Sequence, residues 1–217
     1  MEKEVAILMA DLSGYTAMTD VHGGASAARL VTKYMELVHN SLCGQCKIAQ
    51  RIGDQVVMLS DKAEDLASTA LKLNACTLKE NHFLSIHAGL HFGPVHQEDG
   101  NLFGSTINVA SRIMNLAKRG QILCSSAFVD VIGTNLFSFS AMGKVKLKNV
   151  LKGIEIFELG DGAESNHPID PVCHMQINES ITRFTYEYAG QTFHFCSQQC
   201  RDFFKADPLS FMSFSEL

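Results

Sequence analysis

Asp11 and Asp54 each follow an apolar run and fall at a turn, and a later helical stretch carries Asn108 and Arg112 four residues apart. Two carboxylates brought together repel each other unless a cation lies between them, and hard oxygen ligands favour Mg2+ or Mn2+. An i, i+4 pair leaves a helix in the same direction, and a guanidinium suits a phosphate. Together these four side chains are what a two-metal nucleotide site needs. Taken singly each has an ordinary reading, the acids as turn residues and the Asn/Arg pair as a solvated helix face.

The elements that must position them follow from local patterns. Val5 to Ala10 is apolar on both faces and reads as a buried strand delivering Asp11 at its end. Gly14 then allows a turn in which the backbone N–H groups of Leu12 to Thr16, Tyr15 included, could cradle phosphates. Gly53-Asp54 lies between Ile48–Ile52 and Val56–Leu59 and predicts a hairpin with Asp54 at its tip. Gly104 to Leu116 opens with cap-type residues; Val109, Ile113 and Leu116 share one face, and Asn108, Ser111, Arg112 and Asn115 the other. The whole pass gives strand 5–10, helices within 16–42, a hairpin at 47–60, helix 63–80, strand 84–92, helix 105–118, strand 121–125, a short helix near 126–132 and strands within 137–159. That is an α/β sandwich with a mostly antiparallel sheet covered by helices.

The chain then changes character. Residues 1–160 hold 15 acidic and 15 basic side chains, whereas residues 161–217 hold 8 and 3, so the net charge of −5 comes from the tail. Gly160 to Asn166 is small and polar, as a linker is. Beyond it about 45 residues can bury little apolar surface, so a metal staple or docking to a neighbour is expected. Cys196 and Cys200 are four apart, and a helix starting near Ser197 would turn both sulfurs to one ion, with Cys173 closing from the preceding loop. Three thiolates favour Zn2+ or copper as Cu(I), with His174 or His194 as candidates for a fourth ligand and a metal-free thiol cluster as the alternative.

Several motifs in the family's order carry a resemblance. ADLSGYT (10–16), RIGD (51–54), GLHFGPV (89–95) and FGSTINVASR (103–112) resemble the signatures of the class III adenylate/guanylate cyclase catalytic domain. Asp170-Pro171-Val172-Cys173-His174-Met175, then Tyr188 to Cys200, then Phe203 to Pro208 resemble a YHS domain of the TRASH-like group, small modules associated with transition metals. The implied organisation is a cyclase domain at 1–160, a linker at 161–168 and a YHS domain at 169–214.

The resemblance implies a ferredoxin-like fold and a homodimer with two active sites at its interface. It implies two Mg2+ or Mn2+ ions per site, held by Asp11, Asp54 and the Leu12 backbone carbonyl of one chain. Asn108 of the other chain would orient the ribose and Arg112 would neutralise charge at the phosphate under attack. Lys148 matches the family's triphosphate-binding lysine, with Asn149 where glycine is common. ATP or GTP would yield a 3′,5′-cyclic nucleotide and pyrophosphate, a phosphorus–oxygen lyase reaction. Adenylate cyclases usually place Lys, and guanylate cyclases Glu, where this chain has Gln50. The partner position, commonly Asp or Thr for ATP, is Asn101. This uncharged pair can offer donors or acceptors to either base. Arg51 should point to the opposite face of the strand. His174 stands where the YHS domain usually has glycine.

Other features are plainer. Cys43-Gly44-Gln45-Cys46 follows a helix and precedes a strand, the reverse of a thioredoxin motif, and reads as a loop; Cys76 and Cys124 read as core residues. There is no basic patch, so nucleic acid is not expected as a partner, and no apolar stretch reaches membrane-spanning length. Seven cysteines without a secretion signal suggest free thiols or metal ligands in the cytoplasm. With no amino-terminal sensor visible, the tail is the regulatory candidate, through metal, redox state or an unknown protein partner. Two rival readings remain: a degenerate cyclase fold that binds nucleotide and signals, and a metal sensor acting through the YHS domain.

Overall fold

The computed structural model describes residues 2–98, 101–133, 136–148, 150, 152–160, 167–178, 180 and 182–212. Asn149, the 161–166 stretch of the expected linker, residues 213 and 214 and the Asn101 side chain lie outside the described residues.

The central sheet runs β2 (Lys47–Ile52), β3 (Gln55–Ser60), β1 (Glu2–Leu12), β4 (Ile86–Glu98), β6 (Ile122–Ser125), β8 (Ile154–Leu159), β7 (Phe139–Val145), with β5 (Asn101–Phe103) paired to the end of β4. Its described pairings are antiparallel except β4 with β6. The mixed α/β architecture is therefore the expected one. β1 is central and apolar on both faces, so successive residues feed two cores. Ala6, Leu8, Ala10 and Leu12 join a large cluster with α1 (Tyr15–Ser41), α2 (Ala63–Lys79) and α4 (Ser126–Ile132). Val5, Ile7 and Met9 pack on the other face with Ala110 and Met114 of α3 (Ser105–Met114).

α3 sits directly on β4 because Gly89 has no side chain: a Cβ there would run into the backbone of Met114 and Ala110. The helix ends at Met114, four residues short of the expected bound, since Leu116 is exposed and adds nothing to the core. β1 and β4 are longer than the apolar runs that announce them. Their mutual ladder extends from Glu2 opposite His96 to Leu12 opposite Ile86, so pairing carries polar residues into the sheet. Asp11 is consequently a strand residue, opposite His87, and the turn begins after it at Ser13-Gly14. α1 is broken at Gly23, whose φ of 76° and ψ of 166° are not helical.

The tail folds as a hairpin, β9 (Phe184–Tyr188) with β10 (Gln191–Phe195), followed by α5 (Gln198–Ala206) and α6 (Pro208–Met212). Phe204 is fully buried at its centre, with the rings of Phe193 and Phe195 at 4.6 and 5.4 Å and those of Tyr186 and Tyr188 at 6.3 and 6.2 Å. This small core does not stand alone. Val172, Cys173, Phe195, Cys200 and Phe204 are continuous with the large cluster beneath α1 and α2. Gln176, buried, receives a hydrogen bond at its carbonyl from His82 N–H (3.1 Å), gives its N–H to Phe83 O (2.9 Å) and donates Nε2 to Thr77 O (3.0 Å). Of the two ways a module this small can be stabilised, docking is thus present in the packing. Among the described residues no helix is long and apolar enough to cross a membrane.

Candidate active site and cysteine cluster

The hairpin of β2 and β3 brings Asp54 at its tip alongside Asp11 near the end of β1, as both strands pair in sequence from the same edge of the sheet. The two carboxyl groups interact directly, and burial together with Asp11 pushes the Asp54 carboxyl up to about 7, against hydrogen bonds from the backbone N–H groups of Asp54 and Leu12. Asp11 Oδ1 is buried with no hydrogen-bond partner among the described residues. His87 Nε2 lies 3.9 Å from Asp11 Oδ2, and burial lowers the imidazole below its ordinary value against the attraction of Asp54, which disfavours it as a counter-ion. Its Nδ1 is 3.0 Å from Ser13 Oγ. Below lies Tyr34, fully buried, its hydroxyl without a partner among the described residues and its phenol raised by burial and by both carboxylates.

An orphaned carboxylate oxygen beside a second carboxyl group that resists ionisation is an arrangement short of positive charge. No Lys or Arg pairs with Asp11 or Asp54 among the described residues. The donor set is oxygen, so it fits a hard divalent cation.

The remaining expected site residues make no side-chain bond to that pair among the described residues. Asn108 is exposed and Arg112 half-buried on α3, and neither bonds to Asp11 or Asp54 among the described residues. Lys148 is exposed in a turn after β7. Gln50 is exposed on the edge strand β2, where the register shifts between Ile48 and Gln50, while Arg51 turns back to give Nε to Gly53 O at 3.0 Å. Tyr15 and Thr16 open α1, with Gly14 before them at φ 91°. A left-handed residue is needed there, and a Cβ at Gly14 would also lie 2.5 Å from His174 Cβ. The expected phosphate turn is therefore covered on one side by the tail.

His174 itself is in the left-handed region at φ 62°, which is why glycine would be the easier residue at this position. Arg119 holds it there, with Nη1 on its carbonyl at 3.0 Å and Nη2 on its ring Nδ1 at 2.9 Å. Since a guanidinium can only donate, Nδ1 accepts and the imidazole carries its proton on Nε2.

Cys173, Cys196 and Cys200 come together as expected. Sγ of Cys196 lies 3.4 Å from that of Cys173 and 3.5 Å from that of Cys200, the helix starting after Ser197 as its spacing required. Ser197 caps that helix by accepting Cys200 N–H at 3.2 Å. The buried Asp170 carboxylate accepts N–H groups from Val172 (2.9 Å), Cys173 (3.3 Å) and Cys196 (2.8 Å) and so fixes both cysteine loops. Thiol hydrogen bonds from Cys173 and Cys200 hold Cys196 far below the ordinary thiol range, while the bond to Cys196 raises Cys173.

The fourth member of this cluster is neither His174 nor His194. It is His22 of α1, whose Nε2 lies 3.3 Å from Cys196 Sγ and 3.6 Å from Cys200 Sγ. Sequence reasoning passed over it because its partners are more than 150 positions away, and its only local mark is the Gly23-Gly24 pair that breaks the helix after it. Cys43 and Cys46 occupy a turn around Thr69, and Cys124 is core, its thiol pushed up to about 12 by burial.

Comparison with known proteins bears on the fold and the family. A pH-sensitive adenylate cyclase of Mycobacterium tuberculosis is 26% identical over 165 residues, covering 74% of this chain and 42% of that protein. The chain thus spans about two fifths of the length of that curated relative. The crystal structure of the adenylyl cyclase CyaB from P. aeruginosa shares the fold, with a TM-score of 0.63 at 15% identity over 76% of this chain and 97% of the other. The guanylate cyclase domain of RhGC from Catenaria anguillulae, solved with GTP, matches with a TM-score of 0.63 at 18% identity over 73% of this chain and 97% of that one. The family model for the adenylate and guanylate cyclase catalytic domain matches residues 1–160 and that for the YHS domain residues 168–213, so the chain belongs to the class III cyclase family and carries a YHS domain behind its cyclase domain.

Proposed function

We propose that the chain is a divalent-metal-dependent nucleotide cyclase, converting ATP, or alternatively GTP, to a 3′,5′-cyclic nucleotide and pyrophosphate at sites shared by two copies of the chain. The observation that carries this reading is the Asp11/Asp54 pair, with one buried oxygen orphaned and one carboxyl group pushed up to about 7 by burial and its neighbour. Asp11, Asp54 and the Leu12 carbonyl would hold two Mg2+ or Mn2+ ions, which when bound supply charge for the triphosphate and acidify the ribose 3′-hydroxyl. The Leu12 N–H is given to Asp54 and the Ser13 N–H to Ser85 O at 2.9 Å, so it is the N–H groups of Gly14, Tyr15 and Thr16 that would donate to phosphate oxygens at the start of α1. Asn108 and Arg112, exposed and half-buried with no bond to the Asp pair of their own chain among the described residues, suit a role on the partner's site, Asn108 orienting the ribose and Arg112 meeting the phosphate. Exposed Ile52 and Phe103, close in sequence to these residues, are apolar surface that a second copy would cover.

ATP is placed first because the Mycobacterium tuberculosis relative is named an adenylate cyclase. Gln50, uncharged and exposed, would read the base together with Asn101, and Lys148 would meet the triphosphate. The YHS domain is proposed as the regulatory part.

Incubation with ATP and GTP separately, in Mn2+, with chromatographic separation of products, tests this reading. Wild-type chain should release cyclic nucleotide, and Asp54→Ala should lose it by at least about a thousandfold while remaining folded. No product from either substrate, in protein shown to be dimeric, would instead favour a nucleotide-binding signalling module, for which the packing of His174 onto Gly14 is the supporting contact.

A further inference from the structure

The cysteine cluster crosses between the two parts of the chain. Three of its members come from the YHS domain, and the fourth, His22, stands on the first helix of the cyclase domain at the residue before the Gly23 break. We propose that His22, Cys173, Cys196 and Cys200 form one closed tetrahedral site for a soft or borderline divalent ion of the Zn2+ class, and that this ion fastens the YHS domain to α1. The site is independent of nucleotide chemistry and stands whether or not the chain is a cyclase.

The geometry supports four ligands and not three. Adjacent ligand atoms are 3.3 to 3.6 Å apart along four edges, and all lie within 4.8 Å of one another. A tetrahedral ion with bonds of about 2.3 Å to sulfur and about 2.0 Å to nitrogen needs edges of about 3.5 to 3.8 Å, so little movement separates these atoms from a coordination shell. A set of three sulfurs and one nitrogen with no position left over is the pattern of a structural site. His174 and His194, the histidines nearest the cysteines in sequence, are not in the set.

The framework is held from several directions. Asp170 fixes the loops of Cys173 and Cys196, and Ser197 fixes Cys200. Gln199 Nε2 donates to Val21 O at 3.0 Å, so the backbone beside His22 is tied to α5 by a contact that does not involve the ligands. Such outer contacts orient the ligands of metal sites. The break at Gly23 ends the first segment of α1 directly after His22. That segment, Tyr15 to His22, begins at Gly14, against which His174 packs, and His174 is the neighbour of Cys173. An ion in the cluster would therefore hold both ends of the segment, at His22 directly and at Gly14 through Cys173-His174.

The test uses the full-length, reduced chain, with excess Mg2+ present so that added Co2+ or Zn2+ reports on the sulfur site. Co2+ should bind one per chain with thiolate charge-transfer bands and the intense visible bands of a tetrahedral centre, and Zn2+ should displace it. His22→Ala should weaken Zn2+ by on the order of 100-fold and shift the Co2+ spectrum. His22→Cys should restore tight binding with an added thiolate band, and His194→Ala should leave affinity and spectrum unchanged. In hydrogen exchange, Zn2+ should protect residues 14–24 in the wild type and not in His22→Ala. Equal affinity and the same spectrum in wild type and His22→Ala would overturn the assignment, as would loss of binding in His194→Ala alone or failure of the reduced wild-type chain to bind Zn2+.

Discussion

The Asp11/Asp54 region and the cysteine cluster are built on opposite plans. The Asp pair is oxygen-only, partly open, and leaves Asp11 Oδ1 unsatisfied inside one chain. The cluster is sulfur-rich and closed, with four ligand atoms mutually in reach and its loops fixed by Asp170. An open oxygen site leaves coordination positions for a substrate, whereas a closed soft site fixes structure. One chain thus places the proposed substrate site and the proposed ion site at the two ends of one helical segment, Tyr15 to His22.

The largest effect that would sharpen this contrast is on stability. If the YHS domain is held first by packing and only secondarily by an ion, Phe204→Ala should cost about 3 to 5 kcal/mol even without metal, because it empties the centre of five aromatic side chains that are continuous with the main core. Urea denaturation with chelator present measures this, and a loss under about 1 kcal/mol would show that packing contributes little there.

A smaller effect should separate the two sites by pH. The Asp54 carboxyl sits at about 7 in the metal-free fold, raised by burial and by Asp11, whereas an unfolded Asp titrates near 3.9. Its charge therefore burdens the metal-free fold: the burden is absent below about pH 4, grows as pH rises toward 7 and is complete above it. A hard cation relieves that burden most above pH 7, and below it must displace a proton. The Mn2+ concentration giving half-maximal cyclase rate should rise up to about tenfold from pH 8 to pH 6. A flat dependence would mean that Asp54 does not hold the ion.

How much was legible in the sequence differs between the regions for the same reason. Asp54 could be placed because a two-residue hairpin between apolar strands is a local signal, and the start of α5 could be placed from the four-residue spacing of Cys196 and Cys200, with Ser197 found as its cap. Asp11 was expected in a turn, but the β1–β4 ladder runs past it to Leu12, a consequence of pairing with a strand more than 70 residues away. His22 was not legible, because a half-buried histidine on a helix gives no signal until the tail folds back on it. The left-handed His174 was visible only as an odd residue where glycine is usual, and its meaning came from Arg119 and Gly14, both distant in sequence.

The central claim is that the Asp pair is half of a site whose other half, Asn108 and Arg112, belongs to a second copy. Mixing inactive Asp54→Ala and Arg112→Ala chains tests it most directly. With random exchange, half of the dimers pair one of each, and each such dimer keeps one intact site of two, so the mixture should recover about a quarter of wild-type cyclase activity. A mixture no more active than its parents, with exchange shown by tagged chains, would contradict the account and place the whole site within one chain.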